Sequence, residues 1–360
     1  MAIQGQLELT VNWVYILIAG TVILLFFTGI VVKQKDISEE QLSADVIKTM
    51  GSLFTAAGVS EKTKNIISVS GLGDYVLEFG CQNGVSTFGI AGQQAKIQNA
   101  RDPIFSPHEL KTTTLITWSL PYVMPYKVID FLMVSSANTK YYVIQHNDPF
   151  FVEFMNSTEQ FTREEIETLD QAEAGKNYQV RIIDFSGLIM LGGAIPEKLH
   201  ALGDHLTAVT LGGNGVTYYQ QKEGRWDQVG TPVEIVSLGG ERDAAKFAAI
   251  FAADDEQYRC NMGKAFQRLK YVTEVYGKKR EGMERMHTSD NNPENCLDHI
   301  KLGQVQNNMA KLLENHQEAA DSCVEHYVSQ PQSCSGLINT ARVIISTNQI
   351  LHHNNCIPLY

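Results

Sequence analysis

Residues 13–32 read WVYILIAGTVILLFFTGIVV and carry no charged side chain. At 1.5 Å of rise per residue this run makes about 30 Å of helix, the thickness of a bilayer's hydrocarbon core. Trp13 and Tyr15 stand at one end, where amphipathic rings favour the headgroup level, and Lys33 and Lys35 close the other. The stretch predicts one transmembrane helix, with the rest of the chain folded beside the lipid bilayer. A cleaved secretory signal fits poorly. The first 12 residues hold no Lys or Arg, and Val31-Val32-Lys33-Gln34 offers no small-x-small cleavage site. A buried core helix would carry some polar residues over five turns, and this one carries no charge on any face.

Gly5-Gln6, shortly before this apolar run, is similar to the cleavage site of archaeal type IV pilin-like precursors. The wider pattern, QLELTVNWVYILIAGTVILLFF, then VVKQK and later TWSLPYVMPYKVIDFLMVSS, resembles uncharacterised single-span archaeal membrane proteins. The first likeness implies processing after Gly5 and a helix packed in a filament core. Gly20, Thr21, Thr28 and Gly29 would allow that close approach. The second covers about the first 150 residues and implies an anchor without naming an activity.

Two signals compete over the side of the membrane. Lys33 and Lys35 after the span, with no basic residue before it, favour a cytoplasmic body. Six cysteines, all after the span, and the acceptor sequon Asn156-Ser157-Thr158 favour an oxidising side and make Asn156 a glycosylation candidate. An even cysteine set outweighs two lysines. The expectation is a single-pass cell-membrane protein with its bulk extracytoplasmic.

The 325 or so residues beyond the anchor suffice for one large or two ordinary domains. Composition is globular, 44% hydrophobic and 19% charged, and the net charge of −11 with 29 Lys and Arg lacks the basic footprint of a nucleic-acid binder. The pattern along the chain predicts an α+β protein. Residues 1–35 are the tail and anchor. Residues 36–160 are a connecting helix, capped at Ser38, and a β-rich domain. Strands are expected at Tyr75–Phe79, Thr114–Leu120, Lys127–Ser135 and Lys140–Gln145, where β-branched and aromatic residues dominate. Ser135–Thr139 reads as a hairpin turn, and residues 148–156, DPFFVEFMN, as a short helix. Thr162-Arg163-Glu164-Glu165 has cap-like spacing before a helical turn.

Residues 161–255 form an α/β segment, with strands at Tyr178–Phe185, Leu206–Leu211, Val216–Gln221 and Val233–Leu238, a short helix at Pro196–Leu202 and a better one opened by Asp243. Residues 256–360 carry three apolar stripes at three- and four-residue steps. They are Tyr258 to Tyr276, Leu302 to Tyr327 and Leu337 to Leu351, and they predict antiparallel helices.

That helical layout narrows the cysteine pairings. It places Cys296 and Cys356 at one end and pairs Cys260 with Cys323 or Cys334 at the other. Cys296-x-x-His299 and His353-x-x-Cys356 also resemble the halves of a zinc site, with Cys296, His299, His353 and Cys356 as alternative ligands. Catalytic signatures are absent: there is no G-x-S-x-G elbow and no Walker lysine. Three Leu-Gly-Gly triplets, ending at Gly193, Gly213 and Gly240, read as tight turns after strands. Glu164-Glu165 and Asp254-Asp255 read as solvated acids at helix ends. No cofactor is expected.

The sequence therefore favours a membrane-anchored surface or envelope-assembly protein that interacts with other membrane or surface proteins. A pilin-like filament subunit and a membrane-tethered enzyme with its site on the α/β segment are the alternatives.

Overall fold

A computed structural model describes residues 21, 51–52, 54, 64–93, 96–176, 179–213, 215–289, 294–301, 308–327 and 334–360. The anchor expected at 13–32 (Thr21 apart), the processing expected after Gly5 and the cap expected at Ser38 lie outside the described residues. Among the described residues, no helix is long and apolar enough to cross a membrane.

The chain runs β1 (Lys64–Ser68), β2 (Leu77–Gln82), β3 (Val85–Ile90), β4 (Lys96–Asn99), β5 (Ile104–Phe105), β6 (Glu109–Leu110), β7 (Thr114–Val123), β8 (Lys127–Ser136) and β9 (Thr139–Ile144). Helix α1 (Pro149–Ser157), β10 (Thr162–Ile166), β11 (Gln179–Asp184), β12 (Leu206–Gly212), β13 (Gly215–Lys222) and β14 (Arg225–Glu234) follow. Five helices come last: α2 (Ala244–Phe251), α3 (Asp255–Ser289), α4 (Glu294–Ile300), α5 (Met309–His326) and α6 (Ser335–His353). The architecture is mixed α+β.

The strands form three sheets, ordered β4-β3-β2-β6, β1-β7-β8-β5 and β10-β9-β11-β12-β13-β14. In the six-stranded sheet β10, β9, β11 and β12 run parallel, and β13 and β14 add antiparallel neighbours. Parallel strands are normally covered on both faces, and this sheet obeys the rule. Tyr141 and Tyr218 enter the largest core, while their neighbours Tyr142 and Tyr219 enter a second core on the opposite face. Strand alternation thus sends each Tyr pair to both faces, and both faces are buried.

The largest core draws on residues from Phe105 to Leu359. Its centre is α2, whose sequence AAKFAAIF buries every residue but Lys246. A helix apolar on all sides belongs inside a fold, and α2 lies between sheets. Phe247 meets Trp118 of β7 edge-on at 4.6 Å, and Phe251 lies 5.7 Å from Tyr141 of β9. The Asp243 carboxylate caps α2 by accepting from the N–H groups of Ala245 and Lys246. Gly240, at φ 99°, makes the turn that delivers this cap, a conformation that residues with a Cβ rarely adopt.

Helix α3 ties the sheets to the helical end. It packs on β2, β3, β5, β8 and β14 and against α4 and α5, and α5 packs against α6. Its Asn261 accepts from the Ile104 N–H and donates to the Ile104 carbonyl. One turn on, the buried Lys264 ammonium donates to Ser86 Oγ at 2.6 Å and to the Asn99 and Asp102 carbonyls. Phe54, a described residue from the N-terminal side, packs edge-on against Phe88 of β3 at 5.1 Å.

Several expectations are corrected. Ser135–Thr139 is not a hairpin: β8 pairs with β7 and β5, whereas β9 pairs with β10 and β11. Ala137 and Asn138 instead carry the chain from one sheet into another. The Ala137 N–H bonds back to the Thr114 carbonyl, and the Asn138 carbonyl accepts from the Gln179 N–H. Residues 162–166 form edge strand β10 rather than a helical turn, because pairing with β9 satisfies their backbone and Lys140 meets Glu164 at 2.7 Å. The strand expected at 233–238 is the end of β14, which stops at Glu234.

Candidate functional site

Helix α2 and helix α3 meet at Ala253-Asp254, beside the amino ends of the parallel strands β9, β11 and β12. A cleft of about 610 Å³ opens there. Its walls include Thr139, Gln179, Arg181, Thr207 and Gln220 from the sheet, Glu109 of β6 and His108 just before it. Leu202 and Asp204 come from the 3-10 segment before β12. Its size is ordinary for a small-molecule or peptide site.

Arg181 forms the floor. Strand register places it between Tyr141 of β9 and Thr207 of β12, on the face that α2 covers. The side chain is 3% exposed. One terminal nitrogen donates to the Ala252 carbonyl and the other to Thr207 Oγ1 at 3.3 Å. The guanidinium carbon lies 5.8 Å from the Tyr218 ring centre, within reach of a cation–π attraction. A guanidinium has five N–H donors, and its Nε has no partner among the described residues. No carboxylate among them forms an ion pair with it within 4.0 Å. Burial lowers the Arg181 pKa, with the charge of Asp254 among the influences that oppose the shift. Buried charges are normally paired, because an uncompensated one is costly.

His108 and Asp254 stand at the mouth as an ion pair, Nε2 to Oδ2 at 2.7 Å. The other ring nitrogen faces the Phe79 carbonyl at 3.4 Å. With an acceptor at both nitrogens, the ring suits its doubly protonated form. The hydrogen bond to Asp254 holds the His108 pKa above its ordinary value, against the pull of burial and of Arg181. Burial alone would raise Asp254. The bond from His108 and the Gln257 N–H outweigh it, so its carboxyl sits below the usual range. Glu109 and Asp204 are exposed at the rim. The cleft thus has a cationic floor, a neutral hydroxyl and amide wall, and an acidic rim.

Apart from Asp254, the residues singled out by the sequence lie elsewhere. Cys296 bonds Cys356, with the Cα atoms 5.7 Å apart. Cys260 is bridged to Cys81 in β2, not to Cys323 or Cys334, which pair with each other. Of the alternative zinc ligands Cys296, His299, His353 and Cys356, the two sulfurs are bonded to each other and His353 Nδ1 faces the Gln349 carbonyl. Asn156 is exposed on α1 beside the buried Thr158, whose hydroxyl donates to the Phe154 carbonyl. Asp254, expected as a solvated helix-end acid, accepts from the Gln257 N–H as a cap does, and its second oxygen holds His108.

His108 and Arg181 carry no local motif. Arg181 had one visible signal, a charge inside the apolar run YQVRIIDF of a strand buried on both faces. No family model, curated protein or solved structure matches this chain.

Proposed function

We propose that this protein is a membrane-tethered surface or envelope-assembly component, held by the 13–32 helix with its body on the extracytoplasmic side. It works by recognising other proteins rather than by chemical turnover. The observation that carries this reading is that all six cysteines are spent in three bridges, 179, 60 and 11 residues apart. Such bridges persist in oxidising compartments and are rare where thiols are kept reduced. Bracing of this kind suits a body exposed outside the cell. The test is protease treatment of intact cells, read with an antibody to the C-terminal helices. Loss of the signal is expected, and full protection would place the body inside and end the reading.

One observation favours a tethered enzyme instead: the His108–Asp254 pair sits beside a cleft on the α/β segment. Turnover of an ester or amide panel, lost in His108→Asn, would support that reading over the first.

A further inference from the structure

We propose that the cleft over Arg181 captures the free C-terminal carboxylate of a peptide chain, with the Arg181 guanidinium as its anchor. The inference rests on recognition as the protein's mode of action, and it holds on either side of the membrane.

Arg181 is 97% removed from solvent, and its bonds run to neutral oxygens, one a carbonyl and one a hydroxyl. The acid whose charge bears on it, Asp254, is engaged by His108 and by the Gln257 N–H. The fold therefore keeps a guanidinium beneath a cleft without giving it a carboxylate. A ligand oxygen pair at the floor would supply the missing countercharge, and guanidinium donors match a carboxylate two at a time.

The walls and rim then select among anions. Thr139, Gln179, Thr207 and Gln220 offer hydroxyl and amide groups, the partners that peptide N–H and C=O groups need. Leu202 and Val229 add apolar surface for side chains. A volume of about 610 Å³ exceeds what a lone acetate-sized ion fills and suits several residues of chain. Glu109 and Asp204 at the mouth disfavour a second negative charge, so phosphates and polyacids fit poorly. The ligand that satisfies floor, wall and rim together is a chain end with one buried carboxylate and neutral or basic residues above it.

The test uses the full-length protein in detergent micelles and pools of tetrapeptides labelled with fluorescein at the N-terminus, read by anisotropy. The pool with free carboxylates should bind at least tenfold more tightly than the same pool amidated. Pools with Lys at the penultimate position should bind more tightly than pools with Glu. Arg181→Gln should abolish the difference between acid and amide, and Glu109→Gln with Asp204→Asn should narrow the difference between Lys and Glu. The acid-to-amide comparison on the unaltered protein needs no variant to fold. Equal binding of the two pools, no binding of either at millimolar protein, or displacement by acetate as effective as by unlabelled peptide would each overturn the proposal. An extracytoplasmic location refuted by proteolysis would leave these results untouched.

Discussion

Cys81 in β2 and Cys260 in α3 are 179 residues apart in sequence and joined by a bridge whose Cα atoms are 5.8 Å apart. The bond pins the sheet β4-β3-β2-β6 to the long helix that also carries Asn261 and Lys264. It therefore closes the largest loop in the body. In the chain-entropy account a loop of that length is worth about 5 kcal/mol, against about 4 for Cys296–Cys356 and about 3 for Cys323–Cys334. Replacing each pair by Ala should destabilise in that order, read as midpoints of urea unfolding in detergent. A smaller loss for Cys81/Cys260 than for Cys323/Cys334 would contradict the account.

Lys264 makes the same junction firmer in alkali. Burial lowers its pKa to about 7, whereas the unfolded chain holds the proton to above 10. Between those values the unfolded state binds more protons, so stability should rise with pH from about 7 towards 10. Below about 7 the cost of charging Lys264 in place is fully present and constant. Lys264→Met should remove this rise while losing the bonds to Ser86, Asn99 and Asp102. Stability profiles of the two proteins over that window check the claim, and parallel profiles would refute it.

His316 works at the acid end. It is fully buried, with its ring nitrogens against Thr340 Oγ1 at 2.8 Å and the Met124 carbonyl at 3.1 Å. Burial lowers its pKa to about 4, so the unfolded state takes up a proton first as pH falls below about 6.5. Stability should drop between pH 6.5 and 4, by roughly 2–3 kcal/mol at one pKa unit per 1.4 kcal/mol. His316→Gln should show a flatter profile there, measured by thermal melts at matched ionic strength.

At the cleft mouth, the carbon-bound protons of His108 should titrate in an NMR experiment above the ordinary histidine midpoint. Asp254→Asn removes the first cause of that shift and should lower the midpoint. The ring is 57% exposed, so the stability change should stay below about 1 kcal/mol.

Phe247 anchors α2 among aromatic rings of its neighbours. It is fully buried on α2 and meets Trp118, Phe150 and Phe154 with ring centres 4.6 to 6.0 Å away. Phe247→Ala should cost about 3–5 kcal/mol. A loss under about 1 kcal/mol in equilibrium unfolding would show that the sheets close around the gap.

The sequence made the mixed α+β class and most strands legible, because β7, β8, β11 and β12 are dense in β-branched and aromatic residues. It hid β3, β4 and β14, whose segments VSTFGI, KIQN and RWDQVGTPVE are short, polar or broken by Gly and Pro. Their pairing comes from neighbours distant in the chain. The Cys296–Cys356 bridge followed from helix layout. The Cys81–Cys260 bridge did not, because nothing local says that β2 lies under α3. The cleft was invisible for the same reason: His108, Arg181 and Asp254 come from three segments that share no motif. Arg181 carried a visible signal, a charge in an apolar strand, and Asp254 stood out only as a helix-end acid.

The crossing at Ala137 and Asn138 has a mechanical meaning. Two residues, each bonded into a different sheet, leave no slack for a hinge, so the β7–β8 layer and the β9–β11 layer form a weld. A ligand of the cleft over Arg181 would then be expected to pass by swings of rim side chains, on the nanosecond scale, rather than by a millisecond clamshell motion between these two layers.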